Sequence, residues 1–273
     1  MLQSHVVLTN GRSGSNFLVN IINQHPQVAN YGEVLGEWMM IRKLHKKGLF
    51  GRLNDPEYMD HILSSKLIHY IAQLYASGVR VIRRDPINFK SHGQLKSIGF
   101  KEFQINFTRL EIDNYLAERP HIRVINLYRE DVFRRFLSAE ALNQTQVVSA
   151  TEGKSQTSRK VRIETSNLIQ SLDVIAEENR LLKQMADQLG EQRVYTVKYE
   201  DLFSEDGSRE IICDQIFEFL GLTPIKLKSR HRKILSNTLR DTIENFDEVK
   251  EIVKGTPYEV YLEESSQLES LAS

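Results

Sequence analysis

A short run of arginine, serine and glycine near the start of the chain offers residue types that bind anions. Val6–Leu8 is apolar and predicts a buried strand, and the spacing of apolar residues from Phe17 onward predicts a helix. Small residues let a backbone pass close to a ligand, and the first amides of a helix are unpaired and carry partial positive charge. This segment therefore predicts a site for a phosphate or a sulfate-like group. The turn consists of Arg12, Ser13, Gly14, Ser15 and Asn16.

The composition of this turn excludes two common nucleotide-binding motifs. It lacks the Gly-Lys-Ser/Thr ending of ATP and GTP enzymes and the G-x-G-x-x-G pattern of dinucleotide-binding proteins. Arg12 supplies instead a guanidinium group with a fixed fork of donors. Taken alone, the segment is also compatible with an ordinary strand-to-helix turn that carries a surface arginine.

A second candidate anion site follows a later strand. Ile122–Leu127 is apolar, and Arg129 comes just after it, where open α/β sheets bind their ligands. Ser138 lies nine positions further on, about two and a half turns along the predicted helix. A surface ion pair for Arg129 and a water-facing position for Ser138 are the alternatives.

These two segments resemble the sulfotransferases that use 3′-phosphoadenosine 5′-phosphosulfate (PAPS) as donor. In that family an Arg-Ser-Gly-Ser/Thr turn after the first strand binds the 5′-phosphosulfate, and a strand-end Arg with a helical Ser binds the 3′-phosphate. Other segments are similar to the family in the same order along nearly the whole chain. They are Gln24–Val28, which contains His25-Pro26, then Gly32-Glu33, Ile98–Lys101, Val197–Leu202, which ends in Tyr-Glu-Asp-Leu, and Phe217–Leu222.

Three late segments, Leu239–Asp241, Ile243–Asn245 and Gly255–Tyr258, are similar to the bacterial branch that includes nodulation-factor and lipopolysaccharide sulfotransferases. The chain also departs from the family pattern. Arg12 stands where many members have lysine, and Asn16 replaces the usual threonine. The cytosolic type with a catalytic histidine and a late glycine-rich cofactor loop is not matched.

The resemblance implies a transfer of the sulfonyl group from PAPS to an acceptor hydroxyl, with release of the nucleotide PAP. The acceptor is expected to be a sugar or a glycolipid. Arg12 and the amides of 13–16 would bind the phosphosulfate, and Arg129 with Ser138 would bind the 3′-phosphate. Glu33 would accept the proton of the acceptor, with Glu37 as the rival base, and Lys101 would reach the bridging oxygen.

Two other functions are also compatible with the sequence. One is a nucleotide-dependent phosphotransferase, although the turn lacks the Lys-Ser/Thr pair and no metal-binding acids stand out. The other is a catalytically inactive protein of the same fold that binds PAP or another anion. A transferred sulfonyl group carries less charge than a phosphoryl group, so no metal is expected, and the eight histidines are scattered without ligand spacing.

The composition is that of an ordinary globular protein. Of 273 residues, 40% are hydrophobic and 26% charged, and the formal net charge of +0 gives no reason to expect nucleic acid as a partner. The one cysteine, Cys213, cannot form an internal disulfide. No signal peptide or membrane-spanning segment is predicted, so we expect a cytoplasmic protein. The oligomeric state is left open.

The predicted fold class is α/β, with one domain over residues 1–273 and a mostly parallel sheet flanked by helices. A helix is predicted from about Thr165 to Leu189. The predicted strands are Val6–Thr9, Ile98–Phe103, Ile122–Leu127 and Val194–Val197.

Three further segments are predicted either to lie near the active site or to have no functional role. A helical insertion at about 36–60 either lines the acceptor pocket, with Trp38 as a stacking surface, or forms a small packed subdomain. The polar stretch 143–162 is expected to be mobile, as a lid or as a plain surface loop. The basic residues of 226–233 either contact the nucleotide or are solvated.

Overall fold

Five parallel strands form the centre of the computed structural model, which describes residues 2–49, 51–84, 86–145, 160–204, 207–227 and 238–262. Their order across the sheet is β2-β3-β1-β4-β5, and each neighbouring pair is parallel. The strands are β1 Gln3–Thr9, β2 Val28–Asn30, β3 Ser97–Phe103, β4 Arg123–Tyr128 and β5 Val194–Lys198. The predicted α/β class with a parallel sheet flanked by helices is confirmed.

Helices connect the strands, as parallel strand order requires. The helices are α1 Ser15–Ile22, α2 Met40–Lys46, α3 Asp55–Ser64, α4 Lys66–Arg83, α5 Gln104–Arg109, α6 Val132–Thr145, α7 Leu168–Asp187, α8 Tyr199–Leu202, α9 Ser208–Phe219, α10 Leu239–Thr242 and α11 Phe246–Val253. Two short 3-10 helices cover His92–Gln94 and Glu191–Arg193. The helix predicted at about 165–189 is confirmed as α7.

Residue contacts divide the chain into two units. The first comprises Met1–Tyr128 and Leu181–Lys228 and contains the whole sheet; the second comprises Arg129–Arg180 and Ser229–Ser273. The sequence predicted one domain over residues 1–273, and that boundary stays a prediction.

The two faces of the sheet in the first unit are covered by different apolar clusters. Val7 packs with α1 and α9 on one face, whereas Val6 and Leu8 pack with α3 and the end of α7 on the other. Alternate residues of a strand point to opposite faces, so Lys101, which pairs with Val7, and its neighbour Glu102 lie on different faces. The second unit has its own core, built from α6, α7, α10 and α11.

The helical insertion predicted at about 36–60 contains α2 and the first part of α3, and helical structure continues as far as Arg83. Tyr58 and Met59 of α3 are fully buried in the same core cluster as Val6 and Leu8. This segment is therefore packed on the sheet. Trp38 is 64% exposed.

Candidate active site

The turn between β1 and α1 has the backbone shape of an anion-binding loop. Arg12 and Gly14 both have left-handed backbone angles, with φ of 63° and 76°. Gly14 is the N-cap of α1, and among the described residues no side-chain hydrogen bond caps this helix end. A non-glycine residue in the left-handed region is strained, and such strain concentrates at functional sites. The first amides of a helix have no partner within the helix itself, so this end of α1 is suited to an anion.

Ser13 adds an independent indication that the turn binds a polar group. Its side chain is completely buried, and its hydroxyl has no hydrogen-bond partner among the residues that the structure describes. A buried hydroxyl without a partner costs roughly 1–3 kcal/mol. An anion bound in the turn would accept that hydrogen bond, so the residues present fit a phosphosulfate group.

The aromatic rings of Tyr199 and Phe203 pack against the turn at Gly14. A Cβ atom added at Gly14 would lie 2.6 Å from Cε2 of Phe203 and 3.0 Å from Cδ2 of Tyr199. The two rings stack with their centroids 4.4 Å apart, and Phe203 also contacts Phe17 of α1. Residues 199–203, which follow β5, thus hold the turn in position. The sequence identified this segment by resemblance but gave no physical role for it.

Gly14→Ala should destabilise the protein by roughly 1–3 kcal/mol and weaken PAP binding, because the methyl group meets Phe203 and because φ is positive. The control is Gly11→Ala in the same turn, since a Cβ there meets nothing within 4 Å. Thermal unfolding and calorimetric titration with PAP measure the two effects. Equal unfolding temperatures for the two variants would contradict the supporting role of the rings.

Three candidate site residues meet in one hydrogen-bonded group beside this turn. The ammonium of Lys101, on β3, donates to Oε1 of Glu33 at 2.5 Å and to Oδ1 of Asn16 at 2.9 Å. Asn16 lies in the first turn of α1, and Glu33 lies in the loop after β2. The structure thus brings together Glu33, Lys101 and Asn16 of the turn, which are far apart in the sequence.

The ion pair between Lys101 and Glu33 is largely buried, which fixes its geometry. The Lys101 side chain is 2% exposed and that of Glu33 is 17% exposed. Removing one partner of a buried ion pair leaves an uncompensated charge, which is strongly destabilising. The pair therefore places a carboxylate and a cation in fixed positions, where the carboxylate can accept a proton and the cation can stabilise a developing negative charge.

Glu37, the rival base, lies in a different environment. Its carboxylate forms an ion pair at 2.5 Å with Lys46, and both side chains are more than half exposed. The hydrogen bond from Lys46 lowers the pKa of Glu37 below its ordinary value. Glu37 is thus a surface acid, whereas Glu33 contacts the buried Lys101.

Comparison with known proteins identifies the family to which this chain belongs. The sequence model of the sulfotransferase family matches residues 6–225, which is most of the chain. The protein is a member of the sulfotransferase family.

Two solved structures are among the matches to this sulfotransferase. One is a sulfotransferase from Alicyclobacillus acidocaldarius, with 12% identity and a TM-score of 0.45, covering 97% of this chain and 95% of that chain. The other is the sulfotransferase domain from the curacin biosynthetic pathway, with 16% identity and a TM-score of 0.45, covering 99% of this chain and 98% of that chain. No curated protein sequence gave a significant match.

His25, in the His-Pro segment of this sulfotransferase, has structural contacts. Its Nδ1 accepts from the amide of Gln27 at 3.1 Å, so Nε2 carries the proton and donates to the carbonyl of Thr223 at 3.2 Å. Burial lowers the pKa of His25, which favours this neutral form. The ring also packs on Phe217. His25 therefore ties the loop before β2 to the segment after α9.

Arg129 and Ser138, the candidate 3′-phosphate ligands, belong to the second unit. Arg129 directly follows β4, and its carbonyl accepts a hydrogen bond of 2.7 Å from Nδ2 of Asn179 on α7. Ser138 lies in α6, which is capped by Asp131 through the amide of Arg134 at 2.7 Å. The strand-end arginine and the helical serine are thus placed on the elements that the sequence predicted.

Several predictions concern parts of the chain outside the described residues. Most of the stretch 143–162 and the basic segment beyond Leu227 belong to these parts. Within the described ranges, no group of three His, Cys, Asp or Glu residues could hold a metal ion. Over the same ranges, no helix combines the length and the apolar composition needed to cross a membrane.

Proposed function

We propose that this sulfotransferase transfers the sulfonyl group of PAPS to a hydroxyl of a sugar or glycolipid and releases PAP. The observation that carries the proposal is the ammonium of Lys101, which is bonded both to Glu33 and to Asn16 at the start of α1. A base, a cation and an anion-binding turn are the three groups that sulfonyl transfer requires. The choice of acceptor class comes from the resemblance to the bacterial branch and not from this geometry.

The reaction proceeds in line, by analogy with phosphoryl transfer, so positioning and charge stabilisation supply most of the catalysis. The acceptor oxygen forms a bond to sulfur while the bond between sulfur and the bridging oxygen breaks. That oxygen leaves with the electron pair on the 5′-phosphate of PAP. Glu33 takes the proton of the acceptor hydroxyl, and Arg12 and Lys101 stabilise the charge that develops on the leaving phosphate.

Ligand binding and turnover together test the proposal against the two alternatives. PAP should raise the unfolding temperature strongly, since a ligand at one hundred times its Kd adds about 2.7 kcal/mol, and ATP with Mg²⁺ should not. Sulfonyl transfer to saccharide and glycolipid acceptors should then follow with labelled PAPS. Stabilisation by ATP and Mg²⁺ alone would favour a phosphotransferase. PAP binding without turnover on a broad acceptor panel would favour an inactive binding protein.

Arg129→Ala should weaken the binding of PAP far more than that of adenosine 5′-phosphosulfate, because only PAP carries the 3′-phosphate with which the guanidinium would pair. Loss of a charge-assisted hydrogen bond costs roughly 1.5–3 kcal/mol, which corresponds to about a tenfold to hundredfold change in Kd. Ser138→Ala should show the same selectivity with a smaller loss. Calorimetry that finds equal losses for both nucleotides would refute this assignment.

A further inference from the structure

We propose that Glu102 and Tyr58 are positioning residues that hold the Glu33 loop, residues 32–35, and so orient the Glu33 carboxylate. This inference rests on the proposed function, because it concerns the residue assigned as the base. Neither Glu102 nor Tyr58 stood out in the sequence, and both lie on the opposite face of the sheet from Lys101.

Glu102 holds the loop by its backbone amides. One carboxylate oxygen, Oε2, accepts from the amide of Val34 at 3.1 Å and from the amide of Leu35 at 2.9 Å. The other oxygen accepts from the amide of Phe103 and from Nδ2 of Asn106. Glu102 is completely buried, and burial raises its pKa while these four donors favour the charged form. A buried carboxylate with two bonds to one loop fixes the backbone that directly follows Glu33.

Tyr58 holds the same loop by a carbonyl. Its hydroxyl donates to the carbonyl oxygen of Val34 at 3.0 Å, and its ring is completely buried. The start of the loop is fixed separately, because the amide of Lys101 donates to the carbonyl of Gly32 at 2.9 Å. Glu33 therefore lies between two anchored peptide groups. Since Tyr58 comes from α3, the helical insertion acts here on the candidate base.

The alternation of side chains along β3 explains how one strand can contact the Glu33 side chain and also hold the backbone of the Glu33 loop. Lys101 and Glu102 are adjacent and point to opposite faces of the sheet. Lys101 contacts the side chain of Glu33 directly, and Glu102 fixes the backbone after it. The distance between base and cation is thereby set from two sides, and positioning errors near 1 Å are enough to cost about 10²-fold in rate.

The test compares variants in two backgrounds, wild type and Glu33→Gln. In wild type, Glu102→Ala should lower kcat about tenfold or more with little change in the KM for PAPS. Glu102→Gln should recover part of the rate, because one amide oxygen can still accept from both loop amides. Tyr58→Phe should lower kcat as well. In the Glu33→Gln background none of these changes should lower the residual rate further, since the residue being positioned no longer acts as base.

Tyr115→Phe is the matched control for Tyr58→Phe. Tyr115 is buried in the same core cluster and donates to Asp60 at 3.0 Å, but among the described residues it forms no hydrogen bond with the Glu33 loop. The Tyr115→Phe variant should lose about as much stability as Tyr58→Phe, but it should retain the wild-type kcat. An equal loss of kcat in both phenylalanine variants, or full additivity with Glu33→Gln, would overturn the positioning role. A fully active Glu33→Gln enzyme would instead refute the base assignment itself.

The surface of α4 exposes a large apolar area. Six large apolar side chains of this helix are between 37% and 83% exposed, and we call them the α4 face. They are Leu67, Tyr70, Leu74, Tyr75, Val81 and Ile82. At 3.6 residues per turn they lie on one continuous arc, and Lys66 and Arg80 fall outside it. Phe89 extends the α4 face by stacking on Tyr70.

We infer that the α4 face binds a second copy of this chain, with the two α4 helices antiparallel. The exposed fractions of these side chains and Phe89 correspond to roughly 800 Å², the area that each partner of a standard interface buries. The outermost residues, Leu67 and Ile82, lie at equal distances from the midpoint between Leu74 and Tyr75. A two-fold axis through that midpoint would therefore place apolar residues against apolar residues, as an isologous contact requires.

Sedimentation of the full chain tests this inference. Wild type should be a dimer at micromolar concentration, Leu74→Glu should be a monomer, and Ile211→Glu should remain a dimer. Ile211 is the control because it is 60% exposed on α9. A monomeric wild type, or a dimer that survives Leu74→Glu, would overturn the inference. Vesicle flotation of a monomeric wild type, lost in Leu74→Glu, would assign the α4 face to a membrane surface instead.

Discussion

Replacing Glu33 by glutamine is expected to lower kcat by roughly 10² to 10⁴-fold, the range attributed to a general base. The amide keeps the shape of the side chain and can still accept a hydrogen bond from Lys101, so PAP affinity should be nearly unchanged. Single-turnover rates with labelled PAPS and PAP titration measure the two quantities separately.

Glu37→Gln is the matched control for this prediction. Glu37 is four residues away, is exposed and forms its ion pair with Lys46. Its loss should change kcat by no more than a few fold, because a surface ion pair contributes little. An active Glu33→Gln enzyme together with an inactive Glu37→Gln enzyme would show that the base is misassigned.

Arg12→Ala is expected to lower kcat by at least about 10²-fold, which is the scale for losing one preorganised donor that stabilises charge in the transition state. Arg12→Lys should restore part of the rate, because lysine keeps the charge but not the planar fork of donors. Steady-state kinetics with PAPS and an acceptor that turns over in the wild type provide the measurement.

The left-handed backbone of Arg12 calls for a second control in this series. Alanine at φ of 63° remains strained, whereas glycine adopts that angle freely. Arg12→Gly therefore removes both the side chain and the strain. If the loss of activity is caused by loss of the Arg12 side chain and not by backbone strain, the glycine and alanine variants should lose activity equally. A wild-type rate in either variant would exclude Arg12 from the chemistry.

The elements of the fold were largely predictable because they carry local patterns. The strands predicted at Val6–Thr9 and Val194–Val197 correspond to β1 and β5, and the long helix near 165–189 corresponds to α7. Apolar runs and helical spacing are properties of neighbouring residues, so they can be read without knowing what packs on them. β2 was missed because Val28–Asn30 has three residues and is too short to show a period.

The strand-turn-helix segment that contains Arg12 was also predictable, since strand, small residues and helix follow one another directly. The different environments of Glu33 and Glu37, in contrast, were not predictable. The two acids are only four positions apart, and no local pattern distinguishes them. In the folded chain Glu33, in the loop after β2, meets Lys101 on the neighbouring strand β3. Glu37 instead pairs with Lys46 at the end of α2.

The sequence by itself determined the α/β class, the strand-turn-helix segment with Arg12 and the membership of a family with this order of segments. Only the tertiary structure decided which residues meet across the sheet: Lys101 with Glu33 and Asn16, Glu102 with the amides after Glu33, and Phe203 with Gly14. The physical reason is that a period of two or 3.6 residues is set by the backbone. The partners of a buried side chain are set by strand order and packing, which bring together residues that are tens of positions apart.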